Sequence, residues 1–206
     1  MENPGILYII SAPSGAGKTS LVQALAAADP KVAISVSYTT RPPRPREEHG
    51  VHYHFVSEQA FRDMRARDAF LEYAEVFENH YGTSGEWIGE RLGEGFDIIL
   101  EIDWQGARQA REKIPDCVSI FILPPSRDAL RERLRDRRQD DDAIIAKRMW
   151  EAKAESIHFD EFDYLIVNDD FHRALSDLQA ILWAGRLRRF RQAKNHQPLI
   201  DSLLSD

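Results

Sequence analysis

One cysteine in 206 residues leaves no partner for an intrachain disulfide and suits a reducing compartment. Cys117 abuts the apolar run at 118–123 and reads as a small buried hydrophobe. The seven histidines show no ligand spacing backed by cysteines or acids, so no metal centre is read from them. No basic stretch followed by an apolar one opens the chain. Its first apolar run, residues 6–10, falls far short of the ~20 residues of a membrane span. The expected setting is the cytoplasm, with no membrane partner. Surplus positive charge is missing too. Lys and Arg number 27 against 34 Asp and Glu, a net charge of −7, which argues against a nucleic-acid partner held by bulk charge. With 43% hydrophobic and 30% charged residues, the composition is that of a globular protein. The length suits one α/β domain with small inserted lobes.

The sequence does have a glycine-rich turn between an apolar run and a helical stretch. Residues 12–19 read Ala12-Pro13-Ser14-Gly15-Ala16-Gly17-Lys18-Thr19, directly after Ile6-Leu7-Tyr8-Ile9-Ile10-Ser11. Gly15 and Gly17 let the backbone curl so that successive amides point at phosphate oxygens. The helix that follows adds its positive end. Lys18 is placed for the β- and γ-phosphates, and the Thr19 hydroxyl for Mg²⁺. Ala12 stands where the usual motif has its first glycine, but the rest of the pattern is intact. The chain is read as binding ATP or GTP with Mg²⁺.

Four apolar runs, 6–10, 98–102, 118–123 and 164–167, read as buried parallel strands. Helical stretches at 20–28, 105–113, 127–137, 140 to about 156, and 171–191 separate or follow them, as βαβ units require. The fold class is α/β, a mostly parallel sheet flanked by helices. Residues 34–56, rich in Ser, Thr, Tyr, Arg and Pro, read as short antiparallel strands around a polar loop. With helical stretches at 57–68 and 85–94 they make an inserted lobe. Residues 131–148, dense in arginine and aspartate, read as a charged lid. A core with two flaps suits a transferase that excludes water on closing.

Three constellations carry chemistry. Arg41 and Arg44, stiffened by Pro42-Pro43, form a fork for a phosphate, with bidentate geometry that lysine cannot supply. Tyr53 and Tyr81 could complete that clamp through their hydroxyls or serve only as aromatic packing. Glu72, Glu75, Glu101 and Asp103 are the acids of interest. Glu101 and Asp103 end an apolar strand on one face, where open α/β sheets bind ligands. Their role is either Mg²⁺ organisation or hydrogen bonding to guanine, whose N1–H and N2–H₂ suit a carboxylate where adenine does not. Arg133 and Arg137, one turn apart, and Arg148 could stabilise migrating phosphoryl charge or simply pair with nearby aspartates. Residues 186–191 read as a solvated basic helix face, and the apolar tail at 199–204 offers a surface for self-association into a homo-oligomer.

These residues resemble guanylate kinases of the bacterial type. The resemblance rests on residues 11–19, Val36-Ser37-Tyr38-Thr39-Thr40-Arg41, Tyr81-Gly82-Thr83, Ile102-Asp103-Trp104-Gln105-Gly106, Ile122-Leu123-Pro124-Pro125 and Ile166-Val167-Asn168-Asp169-Asp170. It implies a phosphate-loop nucleoside monophosphate kinase fold over 4–184. The core would be 4–33, 96–125 and 159–184, the GMP-binding lobe 34–95 and the lid 126–158, with a helical extension at 185–206. The implied reaction carries the ATP γ-phosphoryl group to GMP or dGMP with Mg²⁺, in-line and without a protein general base. By resemblance, Ser37, Glu72, Thr83 and Asp103 read guanine, while Arg41, Arg44, Tyr53 and Tyr81 clamp the GMP phosphate. Lys18 and Thr19 with the loop backbone, 12–19, hold ATP, with Asn168 toward the adenine; Ser11 and Arg133 are counted among the ATP-binding residues beside them. Lys18, Arg41, Arg137 and Arg148 carry the catalytic charge.

The chain departs from the family pattern at three places: Arg46 for glycine in the GMP loop, Asp136 and Arg138 for glycines flanking the lid arginine, and Glu101 for aspartate. Altered lid kinetics with activity retained is the expectation. Two other readings stay open. One is a non-catalytic guanylate-kinase-like module that binds phosphorylated ligands, for which Lys18 would have no use. The other is a related sugar-phosphate kinase, for which the guanine readers would have none.

Overall fold

The computed structural model describes residues 4–76, 78–136 and 142–205. In chain order its elements are β1 (Leu7–Ser11), α1 (Lys18–Ala28), β2 (Val32–Ile34), β3 (Tyr38–Thr39), β4 (His54–Phe55), α2 (Glu58–Ala66), β5 (Phe70–Val76) and β6 (Asn79–Ser84). There follow α3 (Gly85–Gly93), β7 (Asp97–Glu101), α4 (Trp104–Lys113), β8 (Val118–Leu123), α5 (Arg127–Asp136), α6 (Asp142–Ser156) and a 3₁₀ turn at Phe159–Glu161. β9 (Tyr164–Val167), α7 (Phe171–Arg186), α8 (Arg189–Asn195) and α9 (Gln197–Leu204) complete the chain.

The apolar runs form a five-stranded parallel sheet in the order β2-β7-β1-β8-β9. Alternate residues serve opposite faces, as the period of two requires. Tyr8, Ile10, Ile120 and Ile122 pack against Leu21, Val22 and Leu25 of α1 and Ala174, Leu178 and Leu182 of α7. Leu7, Ile9, Ile98 and Leu100 pack on the other face against Ile88 of α3 and Ala107 and Ala110 of α4. β1 lies between β7 and β8, with α1 and α7 on one face of the sheet and α3 and α4 on the other. The crevice at its carboxyl end is where such sheets hold ligands.

A second sheet, β4-β3-β6-β5, makes the inserted lobe. Here the structure corrects the expectation for 34–56, because β3 and β4 pair parallel and the antiparallel partner of β3 is β6. The β5–β6 hairpin was not read from the sequence at all. Its strands carry buried polar groups, Glu72 and Thr83, which break the apolar alternation that marks a strand. Helix α4 ties this lobe to the core. Gln109 donates to the Tyr73 carbonyl at 2.8 Å and accepts from its amide at 3.1 Å, while Lys113 donates to the Phe70 carbonyl.

At the far end of the sheet the expected helix over 171–191 stops at Arg186, and α8 restarts at Arg189. Arginines on both sides of the break converge on one acid. Asp97 is buried and accepts from the Ile6 amide at 2.8 Å and the Arg186 guanidinium at 2.7 Å, with Arg191 at 3.6 Å. Arg186 also reaches Asp29 at 2.6 Å. These two arginines therefore clasp the core and do not belong to a solvated face. Gly185 is required by close approach, since a Cβ there would lie 2.2 Å from the Tyr8 hydroxyl. None of the α9 side chains is buried, and Leu199, Leu203 and Leu204 face outward. No helix among the described residues is long and apolar enough to cross a membrane.

Candidate active site

β1 delivers the chain into the glycine-rich turn at the crevice. Its last residue, Ser11, is buried and donates its hydroxyl to the Ile102 carbonyl at 2.5 Å, fastening the ends of β1 and β7 together. The Ala16 amide donates to the Pro13 carbonyl at 3.0 Å, which closes the turn. Gly15 and Gly17 sit at φ +91° and +93°, a conformation that favours glycine. Gly17 caps α1, and no side chain bonds there among the described residues, so the first-turn amides stay available to an anion.

Two residues brace this loop from behind. Asn168 is buried and donates Nδ2 to the Ala16 carbonyl at 2.7 Å. Arg133 donates to the carbonyls of Ala16, at 3.4 Å, and Asn168, at 2.9 Å. A Cβ at Gly17 would come within 2.4 Å of Asn168 Nδ2. The structure thus sets Asn168 and Arg133 on the loop backbone, where they hold its shape.

In front of the loop is a cleft of about 270 Å³, lined by loop residues together with Ile102, Asp103 and Glu155. Lys18 projects into it. Burial pushes its amine below the ordinary lysine range, while Glu101, Glu155 and Asp103 favour the charged form. Thr19 donates its hydroxyl to Glu101 at 3.0 Å. The Ser14 amide donates to a carboxylate oxygen of Glu155 at 3.1 Å. The sequence offered no sign of Glu155, which stands in an ordinary helical run of alanine and charge.

A second anion seat is built on the inserted lobe. The Arg41 amide is fixed by the Thr39 hydroxyl at 3.2 Å. Its guanidinium forms a fork-on-fork pair with Glu47 at 2.7 and 2.9 Å. Glu47 also accepts from the Arg44 amide at 2.7 Å, and Arg41 holds its carboxyl down to about 2. Arg41 lies 5.2 Å from the Tyr53 ring, which meets the Tyr81 ring edge-on at 6.0 Å, and Tyr81 helps Glu47 favour the charged guanidinium. Three of the four expected clamp residues are thereby together, and Arg44 stands exposed at the mouth of the loop. Arg46 has φ +77°, so it keeps the left-handed backbone that explains the family's glycine there.

Deeper in the lobe, Thr83 donates its hydroxyl to Glu72, and Ser37 Oγ lies 3.3 Å from the same hydroxyl. Burial pushes the Glu72 carboxyl up to about 7, Thr83 opposes this, and the charge of Asp103 adds to it. The strand ends at Glu101, and Asp103 caps α4 by accepting from the Gly106 amide at 2.8 Å. A Cβ at Gly106 would approach Glu72 within 2.7 Å, so glycine there lets α4 lie against the acid. The four expected guanine readers converge. Glu75, by contrast, is exposed. Arg148 is half-buried on α6, and Arg137 lies outside the described residues. No cluster of His, Cys, Asp and Glu among the described residues is arranged to hold a metal ion.

A phosphate loop at the switch point of a parallel sheet, beside an arginine-built seat and a buried acid, defines the class: a phosphate-loop nucleoside monophosphate kinase. A family model for guanylate kinase matches residues 5–185. The guanylate kinase of Alkalilimnicola ehrlichii is 58% identical over 203 residues, 98% of each chain. That of Escherichia coli is 58% identical over 204 residues, 98% of this chain and 99% of its own. The crystal structure of guanylate kinase from Anaplasma phagocytophilum matches with a TM-score of 0.74 at 31% identity, covering 93% of this chain and 91% of that one. The chain belongs to the guanylate kinase family.

Proposed function

We propose that this chain transfers the γ-phosphoryl group of ATP to GMP, giving ADP and GDP. The observation that carries the reading is a shared wall. Asp103 lines the phosphate-loop cleft, and its charge also acts on Glu72 in the second seat. Donor and acceptor pockets are therefore neighbours.

The loop amides and Lys18 hold the β- and γ-phosphates of ATP. Arg41, Arg44, Tyr53 and Tyr81 hold the phosphate of GMP. Glu72, with Ser37, Thr83 and Asp103 around it, accepts from N1–H and N2–H₂ of guanine. Adenine has no 2-amino group and would leave the buried acid unpaired. Thr19 and Glu101 are oxygen donors at the cleft, a set that fits Mg²⁺ carried in with ATP, and the ion would supply charge neutralisation there. Arg137 and Arg148 stabilise charge on the transferring group from the lid, 126–158, while the lobe at 34–95 acts as the GMP-binding arm. No side chain need act as a base, because positioning and charge supply the catalysis.

Steady-state kinetics with GMP, dGMP, AMP and ribose bisphosphates test this reading. GMP and dGMP are expected to turn over, with AMP lower by about 10⁴ in kcat/KM. Comparable turnover of AMP or of a sugar phosphate would overturn the assignment.

A further inference from the structure

We propose that Glu155 is a built-in stand-in for a nucleotide phosphate, seated on the loop in the empty enzyme and displaced when the triphosphate arrives. The proposal rests on the reading of the loop as the ATP phosphate site. Its basis is geometric. The Ser14 amide points into the cleft as a phosphate-binding donor should, and the acceptor it meets, at 3.1 Å, is the Glu155 carboxylate. Glu155 lines the same cleft as Lys18, whose positive charge acts on it. An anion seat is filled by the protein's own anion.

The neighbourhood makes this occupant easy to dislodge. Asp103 and Glu151 present like charge to Glu155, and burial disfavours its ionised form. A phosphate brings more acceptor oxygens to the same amides and lysine, and it cannot share the seat with a carboxylate.

Displacement acts on more than one side chain. Glu155 is the penultimate residue of α6. That helix packs on α5 through Ile145, Met149 and Ala152 against Leu130 and Leu134. Arg148 lies seven residues before Glu155, two helical turns away on nearly the same face. A phosphate that pushes Glu155 out therefore releases the side-chain bond that ties this end of the helix to the loop. Glu155 is in this sense a positioning residue, which acts through the helix and never on the reacting atoms.

The test uses the full chain and two probes, MgATP and inorganic tripolyphosphate, titrated at pH 8 into wild type, E155Q and E155A. Glutamine keeps an acceptor for Ser14 without the charge, and alanine removes both. Both variants are expected to bind tripolyphosphate and MgATP about tenfold more tightly, because a charged hydrogen bond no longer has to be broken. KM for ATP should fall with them while KM for GMP holds, a split that loss of a merely structural contact would not give. Unchanged or weaker tripolyphosphate binding in a folded E155Q would overturn the proposal. Failure of the kinase reading is distinguishable: wild type would then not phosphorylate GMP, whatever the tripolyphosphate titrations show.

Discussion

Replacing Glu72 by glutamine sets stability against recognition at a single carboxyl group. Glu72 is 4% exposed, and burial raises its carboxyl from an ordinary 4.5 to about 7. At 1.36 kcal/mol per pH unit, that difference amounts to about 3 kcal/mol against the ionised form in the folded enzyme. The sign follows from proton counting. Between pH 4.5 and 7 the folded protein retains a proton that the unfolded chain has released, so stability falls as pH rises through this window. Above about 7 the loss is complete. Glutamine carries no such penalty, and its carbonyl still accepts from Thr83. Glu72→Gln is therefore expected to stabilise the protein at pH 8 by up to about 3 kcal/mol, on the order of 6–12 °C in Tm, and by almost nothing at pH 4.5. Recognition moves the other way. Guanine presents two donors, and the glutamine amide answers one with a donor of its own, so GMP binding should weaken by about 10²-fold and ATP binding by less than twofold. Calorimetric titration with GMP from pH 5.5 to 8 completes the test. Below pH 7 the wild-type affinity, divided by that of the variant, should drop about tenfold per unit, the ratio cancelling the titration of the nucleotide phosphate. A flat ratio, or a variant no more stable than wild type at pH 8, would refute the reasoning.

Lys18→Ala should reduce ADP release in a coupled assay by at least about 10³-fold while a thermal scan shows the fold retained, since the buried amine is a burden on folding; comparable turnover would remove Lys18 from the chemistry. Arg46→Gly relieves a left-handed backbone at an exposed side chain and should stabilise the protein by about 0.5–1 kcal/mol in urea melts, less if the unfolded chain gains much freedom. Gly185→Ala drives a methyl group onto the Tyr8 hydroxyl, which donates to the Leu182 carbonyl at 3.3 Å, and should destabilise by about 1–3 kcal/mol with KM for both nucleotides unchanged.

The parallel core was legible because β1, β7 and β8 are buried on both faces and therefore read as unbroken apolar runs. The phosphate loop was legible because its glycines stand where the backbone turns left-handed. The lobe was harder. Its hairpin puts Glu72 and Thr83 inside, and a strand whose inward positions are polar loses its signature. β2 is only three residues long, too short to show a period. Arg186 and Arg191 looked like solvent-facing charge because their partner, Asp97, is about ninety residues away in sequence and tells nothing locally. Asn168, placed toward ATP by resemblance, and Arg133 also bond the Ala16 carbonyl, 152 and 117 positions away, a task with no local signal in the sequence. Glu155 was invisible for the same reason as Asp97: its partner is a backbone amide 141 positions distant.

A chain of net charge −7 that takes two polyanionic substrates must solve an electrostatic problem locally. Beyond a Debye length of about 8 Å the surplus acids are screened, so what matters is the field within each seat. Both seats are already neutralised from inside. Arg41 is locked to Glu47 with both side chains largely shielded from water, and Lys18 stands among Glu101, Asp103 and Glu155. A half-buried cation without a partner would cost several kcal/mol, and these carboxylates offset part of that cost in the empty enzyme, although burial still outweighs them at Lys18. On the displacement proposed above, the incoming phosphate then does not enter a bare donor seat but replaces one carboxylate already there, that of Glu155. The geometry of the donors survives the exchange, because Asn168, Arg133 and Thr39 hold the loop and the clamp by bonds to the backbone that no phosphate competes for. Preorganisation and charge exchange are thus separable duties, assigned to different residues of the same site.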